Sequence, residues 1–441
     1  MASRRWLGRA VAAAHVVSFD VADTWAQGDT ATLTINGKDL TLTVGTTTTT
    51  AQIAADLTAM VNGGAANGDE LRSETGANVG EFARISAAVS ASTVTLTGDD
   101  KGVPFQIAVS ESTAGDGTLA NLSTDVVATG PNHFDNPDNW SGDAVPADGD
   151  DVIFDSGDVD CLFGIAQSAI TPSTIIVTRG YTGRIGLPEK NETEAELPYD
   201  EYRPQYLQLG NAGDATVTTI RVGDGSGSGS SRIKLDSGDG QIVLNVFQTG
   251  QREDIAVPAL LWKGAHAANG VNVNRGDVGI AFFSGETAHV DSLRVGYVEN
   301  QAADSAVVCG SGVDLGDAQI DITGGTLVID SATGSGAIAM LGGELSVLRG
   351  AHAEISIDGG VSFYRSTGAL ASVRIGGGAA LDFTRDNQSR IVTNCELHAG
   401  GTLRDPFKSV TWSNGIDVVR ASLAEVSLDL GTHLTLTPSA V

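Results

Sequence analysis

Four pairs of adjacent glycines, at 324–325, 342–343, 359–360 and 376–377, recur at intervals of 18, 17 and 17 along the chain, and few folds satisfy that spacing. Each pair precedes a short alternating run: Thr326-Leu327-Val328-Ile329, Glu344-Leu345-Ser346-Val347, Val361-Ser362-Phe363-Tyr364 and Ala379-Ala380-Leu381-Asp382-Phe383. Gly400-Gly401 before Thr402-Leu403 continues the theme. The period is too short for a propeller blade or a helical pair and fits one coil of a solenoid. A glycine pair lets the chain turn a corner that a Cβ would block. The apolar residue after it then faces inward, onto its equivalent one rung away. Parallel, in-register pairing therefore predicts a buried stack through Leu327, Leu345, Phe363 and Leu381. Residues 317–441 accommodate about seven rungs, a rod of roughly 30–35 Å at the spacing of paired strands.

Composition extends the β reading to the whole chain. Glycine is abundant (56 residues) and proline scarce (11), which excludes a collagen-like chain. Threonine, valine and isoleucine recur in short runs suited to a pleated, half-buried surface. Residues 152–316 show a weaker period and longer insertions, such as 187–204. The expected fold is all-β with one short helix: a basic arm (1–15), a small β-rich domain (16–130), a turn-rich linker (131–151) and a β-solenoid (152–441), most regular in 317–441.

Within the small domain, Asn36-Gly37 between two alternating runs is a hairpin signal, because both turn residues must accept positive φ. Ile53, Leu57, Met60 and Val61 fall at helical spacing, after threonines suited to capping and before Gly63-Gly64. Strands are expected at 82–88, 93–97 and 105–109. Residues 131–151 are dense in Asp, Asn, Pro and Gly. They lack the fixed register of a calcium loop and are read as Asx turns, with Trp140 plugging one end of the solenoid core.

At the N-terminus, Ser3-Arg4-Arg5-Trp6-Leu7 has the look of a twin-arginine export signal. Arg9 and His15 interrupt the apolar stretch such a signal needs, so a retained basic arm is expected. Arg4, Arg5 and Arg9 contrast with a chain of net charge −28 and suit docking on an acidic partner, with Trp6 and Leu7 as the apolar anchor.

The charge speaks against nucleic acid and anionic membranes as partners, and no apolar run is long enough to span a bilayer. Cys161, Cys309 and Cys395 are too few and too scattered for a disulfide framework. The histidines (15, 133, 266, 289, 352, 398 and 433) lack metal-ligand spacing. No nucleophile elbow or phosphate loop is present, and the glycine-rich 223–229 reads as a surface loop. Asp358 and Asp382 sit near strands, and stacked rungs bring such groups close enough to pair as glycoside hydrolysis would require, though among 54 acids some coincidental pairing is expected. Aromatic residues are only 5 % of the chain, a thin supply for a sugar platform. The chain is read as non-enzymatic, with no catalytic, cofactor-binding or metal-ligating residue.

The opening Met-Ala-Ser-Arg-Arg-Trp-Leu-Gly-Arg-Ala, the strand module Thr30-Ala-Thr-Leu-Thr-Ile-Asn-Gly-Lys38 and the helix Ala51-Gln-Ile-Ala-Ala-Asp-Leu-Thr-Ala-Met60 resemble structural proteins of tailed-phage virions. Asn132-His-Phe-Asp-Asn-Pro-Asp-Asn-Trp-Ser-Gly142 is similar to the stretch leading into the β-solenoids of surface and virion proteins. The resemblance covers the arm, the small domain and the turn-rich linker; beyond them it is architectural. It implies a virion component on the capsid surface, a decoration (cement) protein touching the major capsid protein or other virion proteins. A tail fibre, spike or adhesin holding polysaccharide is the alternative. A homotrimer is expected in either case, its contact flank drawing on 271–278 and 281–285.

Overall fold

The computed structural model describes residues 2–46, 48–64, 71–72, 80–112, 114, 116–188, 203–210, 217–296, 305–316 and 318–431. Two long sheets dominate, and every strand pairing within them is parallel. Each coil contributes one strand to each sheet, so the chain winds as a two-walled β-solenoid. A shorter third seam joins some corners, as where Ala288–His289 pairs with Val313–Asp314.

Inward positions of the first wall form an aliphatic column. Val152, Ile175, Ile220, Leu244, Val271, Leu293, Ile320, Ile338, Ile355, Val373 and Cys395 are each in register with the next. Ile320, Ile338, Ile355 and Val373 keep the period of the glycine pairs. Earlier rungs are longer, yet the same wall runs through them unbroken. Six first-wall rungs lie between Gln319 and Val419, where about seven were expected for 317–441. The expected insertion at 187–204 falls largely outside the described residues.

The glycine corners have a steric cause. Gly343 and Gly360 hold φ of +87° and +80°, and a Cβ there would sit 2.4 and 2.3 Å from the carbonyl oxygens of Gly325 and Gly343, one rung below. Only glycine tolerates both the conformation and the approach.

The second wall corrects one member of the predicted stack. Leu327, Leu345 and Leu381 are fully buried. Between them the column passes through Ser362, in register with Leu345 and Leu381. Phe363 faces outward, half-buried, beneath the Arg385 guanidinium, which lies 3.4 Å from the ring centre. Parity decides this: side chains alternate faces, and two residues past the left-handed Gly360 is Ser362, whatever its polarity.

The predicted contact flank is corrected as well. Val271, Val273, Val278 and Ala281 are fully buried in the solenoid core, so they offer no surface to a second copy. Apolar residues there reflect two inward-facing strands of one coil.

A second hydrophobic cluster, separate from the solenoid core, belongs to an antiparallel module. One of its sheets orders the strands Ile85–Ser90, Thr93–Gly98, Val16–Ala22 and Thr118–Val126; the other is built on the Thr30–Ile35/Lys38–Thr43 hairpin. Among the described residues there is a single α-helix, α1 (Thr50–Val61). Thr49 caps it, its side chain accepting from the Gln52 amide, and Ile53, Leu57, Met60 and Val61 face the cluster. Asn62 then caps the sheet edge: its amide group both donates to and accepts from the Ala87 backbone (2.9 and 2.8 Å), which blunts an otherwise open strand.

Candidate functional site

The end of the solenoid where arm, module and turn-rich loop meet holds the residues singled out for partner binding. Their placement overturns the reading of a free arm. Ser3–Arg5 is a strand, parallel to Asp151–Phe154 with Arg4 opposite Val152, and so forms the terminal row of the first wall. Ser141 closes the outer edge of that strand, its amide donating to the Arg5 carbonyl (2.9 Å) and its hydroxyl accepting from the Arg5 amide (2.9 Å).

Trp6 is buried (2 % exposed) among Trp140, Phe154 and Phe134, with its indole N–H donating to the Val159 carbonyl (3.0 Å). The arginines do meet carboxylates, but those of their own chain: Arg4 with Asp150, Arg5 with Asp155 and Arg9 with Asp143. Leu7 remains exposed. An acidic loop lies directly beside a basic arm, so the complementarity is satisfied in cis.

The loop is built to receive that arm. Asn139 is fully buried; its amide donates to the Gly130 and His133 carbonyls (2.8 Å each), and its Oδ1 accepts from the Ala10 amide (2.8 Å). Burial would raise the Asp150 carboxyl, yet the Ala2 and Ala147 amides and Arg4 hold it below the usual carboxylate range. Trp140, 0 % exposed, closes the core with its ring 4.8 Å from Phe134 and 5.8 Å from Phe154. The module is thus an insertion: the chain leaves the cap after the arm, folds residues 16–126, and returns beside its point of departure, where Ala13 and Thr129 form an antiparallel bridge.

Along the solenoid, polar chemistry is spent between neighbouring rungs. Asp358 accepts both bonds from Arg374 Nη1 (2.7 and 2.9 Å), and Asp382 accepts from Thr384 and Arg404. These two carboxylates are therefore each matched to an arginine rather than to one another. Arg349 forks onto Asp330, and Arg385 reaches Glu344. The three cysteines are buried. Burial pushes the Cys309 and Cys395 thiols up to about 12 and Cys161 well above its ordinary value, which suppresses the nucleophilic thiolate. Among the described residues no cluster of His, Cys, Asp and Glu suits a metal ion.

One open cleft of about 540 Å³ lies at a corner, lined by Gln248, Thr249, Gln251, Arg252, Arg275 and Asp277 among others. Asp277 is paired with Arg252, and burial nonetheless raises its carboxyl above the ordinary range. No motif in the sequence marks this cleft, because its lining comes from the corners of successive coils.

The chain folds as a long parallel β-solenoid that carries an antiparallel module. No protein-family model, curated protein or solved structure matches it.

Proposed function

We propose that this chain is a non-enzymatic structural component of a tailed-phage virion, a decoration or cement protein that projects from the head and assembles as a homotrimer. The observation that carries the structural reading is the pairing of solenoid carboxylates with arginines of adjacent rungs, Asp358 with Arg374 and Asp382 with Arg404. Such groups brace a rod; they are not poised to exchange protons with a substrate. The continuous core from Trp6 to Val410 supports a stiff spacer, and the resemblance of the N-terminal part of the chain to virion proteins supports its location.

Because Arg4, Arg5 and Arg9 are satisfied in cis, attachment to the major capsid protein falls to the inserted module rather than to the arm. Density-gradient purification of particles followed by mass spectrometry tests the proposal. The chain should band with intact heads; recovery only in the soluble fraction would refute it.

The corner cleft favours a second reading, an adhesin or tail spike that holds polysaccharide. Its amides, hydroxyl and Arg252–Asp277 pair are groups that hydrogen-bond sugar hydroxyls, although no aromatic platform stands among the described residues that line it. Recovery of the chain with purified tails, together with glycan binding that Gln248→Ala weakens, would favour it.

A further inference from the structure

The neck that carries the module is clasped from two sides by histidines with opposite demands. On the solenoid side, His133 Nε2 lies 2.7 Å from the Gly102 carbonyl and so must carry a proton, while its Nδ1 is 3.5 Å from Asp135 Oδ1. Both ring nitrogens have acceptors, an arrangement that a doubly protonated ring also satisfies. On the module side, His15 Nδ1 accepts the Ala128 amide at 3.2 Å, which requires a lone pair there. The ring is 9 % exposed, edge-on to Phe105 at 4.6 Å, and the His15 carbonyl accepts from Gly98 (2.9 Å).

We propose that His15 is an acid-sensitive latch on the neck: a second proton on its ring turns the acceptor facing Ala128 into a donor, releasing the module end while His133 keeps its grip on Gly102. No carboxylate among the described residues hydrogen-bonds or ion-pairs with His15, Asp125 of the paired strand Thr118–Val126 included. The turn after Gly98 carries Asp99, Asp100 and Lys101, and the returning segment carries His133 and Asp135; among the described residues none of these is bonded to His15. Burial already holds the imidazole below its ordinary value. The neutral ring therefore stabilises the clasp fully above about pH 6.5, and that contribution declines as pH falls toward the lowered pKa.

Hydrogen–deuterium exchange of the intact chain, corrected for intrinsic pH dependence, reads this directly. Exchange in peptides spanning 124–131 should rise about tenfold per pH unit below 6.5 until His15 is titrated. His15→Gln, whose amide oxygen accepts without titrating, should lose that step. An unchanged wild-type profile, or the same step in His15→Gln, would overturn the latch. Should that variant fail to fold, exchange of the His15 ring C2 proton in the wild type gives the imidazole midpoint itself. A midpoint below about 6.5 supports the latch, and one at or above it refutes it.

Discussion

Trp6 and Trp140, far apart in sequence, meet edge to face with ring centroids 5.1 Å apart and together seal one end of the solenoid. The arm is thus a cap. Trp6→Ala should cost about 3–5 kcal/mol, as for large aromatics removed from a packed core, measured as a shift in denaturant midpoint. Deleting residues 2–9 should cost more and bring Trp140 into contact with solvent, read from its fluorescence. A truncated chain as stable as the parent would restore the free-arm reading.

The inward column makes opposite predictions for neighbouring residues. Leu345→Asp drives a charge into a dry stack and should cost roughly 3–5 kcal/mol or prevent folding. Phe363→Ser, on the outer face, should cost far less, about 1 kcal/mol. Ser362→Ala should stabilise by about 1 kcal/mol, because the buried Ser362 Oγ has no hydrogen-bond partner among the described residues. Thermal unfolding of the three variants decides the register; equal losses at Leu345 and Phe363 would contradict it.

Acid should weaken the cap and one of the later corners. Asp150 at the cap is held below the usual carboxylate range, and so is Asp386, where burial is outweighed by Arg390, whose side chain is fully buried. A depressed folded pKa contributes stability above the unfolded value near 3.8, lost as pH falls through the folded one. Stability should therefore be flat through these groups' range above about pH 5 and drop below about pH 4. Asp386→Asn should flatten part of that drop, and an unaltered acid limb would count against the pairing.

The module should be excisable. Replacing residues 14–128 by a short turn joins positions already bridged at Ala13 and Thr129. The remaining chain should keep a cooperative unfolding transition and the β signature of the solenoid in circular dichroism. Loss of cooperativity would show that the solenoid depends on the module.

What was legible in the sequence follows from how local each constraint is. The glycine pairs report a backbone conformation, so the solenoid and its period were readable at 324–377. The Asn36-Gly37 turn and α1 carry their own local signals and were equally readable. Phe363 is apolar yet faces outward, because the strand position after Gly360 fixes the face and Ser362 occupies the inward one. The arm's charge marks the kind of partner it suits, not which part of which chain supplies it. Asp143, Asp150 and Asp155 lie far along the chain from the arm, beyond the whole inserted module, and only the fold brings them together. The strand Val16–Ala22 alternates buried and half-buried residues, whereas Thr118–Val126 buries only Leu119, and their pairing across the whole module has no local marker.

A structural role in a virion is tested most directly by cryo-electron microscopy of purified particles. Rods are expected at threefold-related positions on the head surface. Thirteen first-wall rows imply a length of about 60 Å, with the module as a bulge at the capped end. Reconstructions of particles lacking such rods on the head, from a preparation in which the chain is expressed, would contradict it.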